Sequence, residues 1–147
     1  TKEQVAEWID DPVYEKLIKQ SGTQPRSDIP VDLKKQFVDN IRDVFPIDWN
    51  TCQIVLHNQL PGDMFPLHYD RVQHERYGGR KDNKIDVQRW LIMLHDQQPG
   101  QCFFMNNVSI SWKAGDVLKW RHNDYSHGSA NFGYYPRFSV RLTGRLI

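Results

Sequence analysis

Apolar residues recur at spacings of three and four early in the chain, at Val5, Trp8 and Ile9 and again at Val13, Leu17 and Ile18. That period gathers them on one face of an α-helix. Asp11-Pro12 supplies a cap and a first-turn proline, so a break is expected near Asp10. Ser21-Gly22-Thr23-Gln24-Pro25 ends this segment, and Asp28 to Pro30 opens a second amphipathic stretch carrying Leu33, Phe37, Val38 and Ile41. Residues 1–46 are therefore expected to form a helical N-terminal part.

From about Thr51 the pattern changes to short runs rich in β-formers, at 52–59, 64–70, 88–95, 101–105, 108–112, 116–121, 125–130 and 136–144. Pro61-Gly62-Asp63, Gln98-Pro99-Gly100 and Ala114-Gly115-Asp116 read as turns between them. Strands in series without intervening helices predict a mainly β fold, a double-stranded β-helix (jelly roll, cupin-like) over 51–145, with the N-terminal helices packed on one sheet. The whole, residues 1–147, reads as a single domain. In the last run Arg137, Ser139 and Arg141 alternate with Phe138, Val140 and Leu142, so the two sets project from opposite faces. The apolar set is expected to lie beneath the helices and the polar set to look into the barrel. The connection from Arg71 to Val87 holds Gly78-Gly79, basic residues at 71, 76, 80, 81 and 84 and acidic ones at 75, 82 and 86. Its length fits either a functional lid or a solvated excursion.

Composition narrows the function classes. With 19 Lys+Arg against 18 Asp+Glu the formal charge is +1, which provides no net field for phosphates or anionic lipid and argues against nucleic acid as the partner. The longest unbroken apolar run, Trp90 to Leu94, is far short of the ~20 residues of a membrane helix, and Thr1-Lys2-Glu3 does not start a signal sequence. Cys52 and Cys102 share no metal-ligand spacing and read as small apolar fillers, so the expected location is a reducing one, the cytoplasm. Trp90, Trp112 and Trp120 sit among apolar neighbours and read as core. His57 reads as a packed or hydrogen-bonded histidine, and His74 and His95 as loop residues without a partner spacing.

Candidate chemistry begins at His68-Tyr69-Asp70, an imidazole and a carboxylate two residues apart. Such pairs arise by chance in a chain with six histidines, and a second occurs at His122-Asn123-Asp124. A mononuclear non-haem iron site needs two histidines and one carboxylate on one side of the metal. If His68 and Asp70 are the pair, a distal histidine is available at His122 or His127; if His122 and Asp124 are, the one histidine that follows is His127, three residues on and not on a distant strand. Of the distal candidates His127 is favoured, because small Gly128, Ser129 and Ala130 follow it and leave room around a metal, whereas His122 lies beside Arg121 and Asn123. Arg137, on the next strand, can grip a carboxylate with both arms of its guanidinium.

His68-x-Asp70, His127 and Arg137-Phe138-Ser139, taken in this order, resemble the iron(II)- and 2-oxoglutarate-dependent dioxygenases. Leu60-Pro61-Gly62 before Pro66-Leu67-His68, and Trp112-x-x-Gly115-Asp116 before the distal histidine, are also similar, so the resemblance extends from about Thr51 to Arg145. Arg89-Trp90-Leu91-Ile92 and the prolines before His68 are loosely similar to aspartyl/asparaginyl and prolyl hydroxylases. The resemblance implies iron(II) at His68, Asp70 and His127. It implies the distal carboxylate of 2-oxoglutarate at Arg137, with Ser139 as helper and Arg141 as rival anchor. The partner of the other carboxylate stays open among Asn58, Arg89 and Tyr69. The implied reaction uses O2 and hydroxylates a C–H bond of a small molecule or protein side chain, with release of succinate and carbon dioxide. Two other readings stand beside it: a metal-binding cupin-like enzyme that uses no 2-oxo acid, and a non-catalytic jelly-roll module that binds glycans or a protein.

Overall fold

A computed structural model describes residues 26–27, 30–69, 86–121 and 124–147. The elements are β1 (Arg26–Ser27), α1 (Val31–Ile41), β2 (Gln53–Gln59), β3 (Met64–His68), β4 (Val87–Met93), β5 (Gln101–Met105), β6 (Val108–Ser109), β7 (Val117–Arg121), β8 (His127–Asn131) and β9 (Arg137–Arg145). The helical expectation over Val5 to Ile18, and the lid expectation over residues 71–87 except its last two positions, lie outside the described residues. No helix among the described residues is long and apolar enough to cross a membrane.

The strands form two antiparallel sheets, one in the order β1-β2-β9-β4-β7 and one in the order β3-β8-β5-β6. From β2 to β9 the chain changes sheet at every connection except the β5–β6 hairpin, which is the winding of a double-stranded β-helix. The three glycine turns expected from the sequence are present, with Gly62, Gly100 and Gly115 at φ of 89°, 86° and 87°. Two of the turns are closed by an aspartate: Asp63 Oδ2 accepts from the Leu60 N–H and Asp116 Oδ2 from the Lys113 N–H, each at 2.8 Å.

Three details differ from the sequence reading. A two-residue β1 adds to β2, pairing Arg26 with His57. The run 108–112 is a strand only at Val108–Ser109, because the chain then turns so that Trp112 fills the space between the sheets. The run 64–70 ends as a strand at His68, and Tyr69 already lies outside it.

The apolar face of β9 behaves as expected. Val140 and Leu142 join Ile54 of β2 and Trp90 of β4 with Phe45 and Ile47, and α1 covers them with Phe37, Val38 and Ile41. Leu33, one turn earlier, stays 56% exposed. Gly144 is needed where Ile47 crosses β9, since a Cβ there would come within 2.6 Å of the Ile47 side chain. A second apolar cluster, Leu91, Met93, Phe103, Trp112 and Trp120, fills part of the space between the two sheets. The three tryptophans read as core are thus core, and Cys52 is a buried thiol within the first cluster, pushed up to about 11 by burial.

Candidate active site

His68 faces the barrel interior because β3 carries a bulge. Met64 and Phe65 pair with Ala130 and Ser129, but three residues further on His68 pairs with His127, two residues back along β8. One extra residue on β3 reverses its alternation, so that both Phe65 and His68 point inward, with ring centroids 4.8 Å apart. The local causes are visible in the sequence. Pro66 has no N–H for the ladder, and Gly128 lets the bulged backbone come close: a Cβ on it would lie 2.8 Å from the Phe65 carbonyl oxygen. Gly128 therefore makes room for the β3 backbone, not for a metal, and of the small residues after His127 only Ser129 shares its inward face.

This register sets His68 and His127 side by side, ring centroids 4.4 Å apart and planes inclined by 54°. His68 Nδ1 lies 2.8 Å from the Pro66 carbonyl oxygen, and His127 Nδ1 lies 3.4 Å from that of Tyr125. A carbonyl only accepts, so in the neutral rings Nδ1 carries the hydrogen and the lone pair belongs to Nε2. Backbone hydrogen bonds that orient an imidazole through its second nitrogen are the usual support of a metal ligand. Trp120, 4.8 Å from His127 centroid to centroid, and Phe103, stacked at 6.3 Å, restrict the His127 ring further. Among the described residues no cluster of three or more His, Cys, Asp or Glu side chains gathers. Asp70, the third ligand expected from the sequence, lies outside the described residues.

Deeper in the same interior is Arg137, 2% exposed. Its Nη2 donates to Ser129 Oγ at 3.2 Å and its Nη1 to the Cys102 carbonyl at 3.5 Å. The guanidinium carbon lies 5.7 Å and 5.8 Å from the ring centres of Phe103 and Trp112. Burial lowers its pKa to about 10, which leaves it cationic at neutral pH. All of these described partners are neutral, and the buried Nε has none.

The remaining candidates separate by register. Ser139 pairs across the sheet with His57 and Met93, Arg141 with Val55 and Leu91, and Arg89 with Thr143 and Trp120, so Ser139, Arg141 and Arg89 share the inward face with Arg137. Ser139 is fully buried and its hydroxyl has no described partner. Asn58 pairs with Phe138, and its neighbour Gln59 pairs with Arg137. Asn58 thus lies on the helix-side face and is not placed to contact a ligand beside Arg137. Tyr69 directly follows the end of β3. His57 also faces inward.

Sequence reasoning missed Gln59, Ser129 and Asn131. Gln59 Nε2 donates to Ser129 Oγ at 3.2 Å and to the Asp63 carbonyl at 3.2 Å. Ser129 Oγ therefore accepts from both Gln59 and Arg137, which directs its own hydrogen elsewhere in the interior. Asn131 Nδ2 donates to the Gln59 and Tyr135 carbonyls at 3.0 and 2.8 Å, tying β2 to the turn that leads into Arg137. The available signal was polar residues at inward positions of strands adjoining Arg137.

No protein-family model and no curated protein matches the chain. Solved structures do. A cupin protein from Bacteroides fragilis is 12% identical with a TM-score of 0.47, covering 84% of this chain and 79% of that one. An RmlC-like cupin family protein with a double-stranded β-helix fold from Methanocaldococcus jannaschii is 12% identical at 0.45, covering 65% and 71%. A conserved protein with a double-stranded β-helix domain from Klebsiella pneumoniae is 18% identical at 0.43, covering 64% and 67%. The chain spans only 51% of a similar protein from Acidithiobacillus ferrooxidans. The strand order, more than these likenesses, identifies the fold.

Proposed function

We propose that the chain is an iron(II)- and 2-oxoglutarate-dependent dioxygenase that hydroxylates a C–H bond and releases succinate and carbon dioxide. The observation that carries this reading is a buried guanidinium with no described carboxylate partner, inside the same barrel as a cross-strand histidine pair. A buried cation held only by neutral groups is costly, and a carboxylate brought by a ligand relieves that cost. His68 and His127 lie close enough to share one cation at bonds of ~2 Å, with Asp70 completing the set by sequence spacing. Iron(II) bound there would supply a Lewis-acidic centre for the 2-oxo acid and for dioxygen.

The chain's own residues account for binding and exclusion. Arg137 takes the distal carboxylate through charge-assisted bonds, with the Ser139 and Ser129 hydroxyls as further donors. Phe103, Trp112 and Trp120 keep water from this end of the interior, which strengthens each polar contact made within it. The Pro66 and Tyr125 carbonyls hold the two imidazoles in the tautomer whose Nε2 would ligate the metal.

One observation favours a second reading, a cupin-like metalloenzyme that uses no 2-oxo acid. Arg137 already bonds Ser129 and Cys102 and lies against two aromatic rings, as a structural arginine would. Conversion of 2-oxoglutarate to succinate with iron(II) in air separates the two. The oxygenase reading expects this conversion, and its loss in Asp70→Ala and in His127→Ala. Full turnover in either variant removes the iron assignment. Metal-dependent chemistry with no use of 2-oxoglutarate selects the second reading.

A further inference from the structure

We propose that Asn106 is the positioning residue of His127: through the backbone of Ser126 it sets where the distal imidazole stands and thereby tunes metal affinity. The inference rests on the metal-site reading above. It starts from the turn between β5 and β6, where Asn106 and Asn107 are the two non-glycine residues with positive φ, 47° and 67°, among the described residues. Successive left-handed residues make the tight hairpin turn that matches strand twist, and asparagine tolerates that conformation better than other residues with a Cβ.

The β5–β8 ladder reaches Met105 opposite His127, the last pair before the turn. One residue further, the Asn106 N–H donates to the Ser126 carbonyl at 2.9 Å. A regular ladder would return a bond from the Ser126 N–H to the backbone carbonyl of Asn106, but the left-handed turn takes that carbonyl away. The side chain replaces it: Asn106 Oδ1 accepts from the Ser126 N–H at 3.0 Å and from its hydroxyl at 3.4 Å. Both backbone groups of Ser126 are thus held by one residue of the β5–β6 turn.

Ser126 lies between the two points that define the His127 ring. Its successor carries the imidazole, and its predecessor, Tyr125, carries the carbonyl facing His127 Nδ1. Ser126 is buried, and its own hydroxyl is engaged by Asn106, so the clamp adds to the Met105 and His68 pairings of His127 at the head of β8. Hydrogen bonds made directly to a ligating imidazole typically change metal affinity by about 10- to 100-fold when removed, and a tie one residue further out is expected at the lower end of that range. Asn107 shares the turn and the sign of φ, but no described hydrogen bond joins its side chain to Ser126.

The test is anaerobic equilibrium binding of iron(II) alone to the full chain, with thermal melting in parallel. Asn106→Gly keeps the left-handed backbone and deletes Oδ1; Asn106→Asp keeps an acceptor there; Asn107→Gly alters the turn without touching Ser126. The expected result is iron affinity about tenfold weaker in Asn106→Gly. Asn106→Asp and Asn107→Gly should bind as the wild type does. Wild-type affinity in Asn106→Gly, or an Asn106→Asp variant as weak as Asn106→Gly, overturns the proposal while leaving the metal site standing. An equal loss in Asn107→Gly overturns it too, since the turn and not the clamp would then be responsible. A wild-type chain that takes up no iron overturns this inference and the metal-site reading together.

Discussion

The two faces of β9 lie on one backbone and are buried to a similar degree, yet they are built on opposite terms. Val140 and Leu142 meet Ile54, Trp90 and the α1 side chains in a largely apolar layer, with Asn58 Oδ1 the one buried polar atom described on that face without a partner. Arg137, Ser139 and Thr143 are equally enclosed, but Arg137 Nε, Ser139 Oγ and Thr143 Oγ1 have no described partner. An unmet buried donor or acceptor costs about 1–3 kcal/mol. The outer face therefore contributes stability, whereas the inner face keeps several buried polar atoms unmet among the described residues. That difference, more than the β-helix itself, points to a site.

Substitutions on the two faces should accordingly separate function from stability. The largest effect is expected on the inner face. Arg137→Met removes two charge-assisted bonds to a carboxylate, about 4 kcal/mol, so the 2-oxoglutarate requirement should rise on the order of a thousandfold. Because a desolvated cation is replaced by an apolar chain, the urea midpoint should not fall. A variant that unfolds readily but still uses 2-oxoglutarate normally would reverse the roles of the faces. On the outer face, Leu142→Ala should cost roughly 2–5 kcal/mol in urea unfolding while leaving the Michaelis constant for 2-oxoglutarate in place. Arg141→Lys, on the inner face but two strand steps from Arg137, is expected to raise that constant only about threefold. An effect as large as that of Arg137→Met would move the anchor to Arg141.

The smallest expected effect concerns pH and the outer cluster. Burial raises the Cys52 thiol from 9.0 to about 11, so between those values the unfolded chain has lost a proton that the folded chain retains. The contribution is full below pH 9 and is lost as pH rises towards 11. Urea midpoints measured across that window should fall more for the wild type than for Cys52→Ala, and parallel slopes would exclude the thiol as a source.

Much of the frame was legible because strand alternation and glycine turns are local. The period of two in Arg137 to Leu142 already assigned one face to the helices and one to the interior, and α1 covers the former. Spacing left His122 and His127 as distal candidates and the small residues after His127 selected it; β3 and β8 do pair His68 with His127, although Gly128 serves the β3 backbone. What stayed hidden depends on register. Alternation separates Asn58 from Gln59 but does not say which faces inward, and only the pairing of Gln59 with Arg137 decides it. The bulge that turns His68 inward depends on Gly128 from another strand meeting Pro66, a contact no single segment reveals. Likewise the run 108–112 had strand composition, but the space left for Trp112 between the sheets overrode it.

The central claim is that His68, His127 and Arg137 together bind a metal and a diacid. Anaerobic titration of the metal-free protein with iron(II) and then 2-oxoglutarate tests it most directly. The account expects a visible metal-to-ligand charge-transfer band that grows to one equivalent, is absent in His127→Ala and needs far more 2-oxoglutarate in Arg137→Met. Stoichiometric iron uptake with no band at saturating 2-oxoglutarate would contradict it.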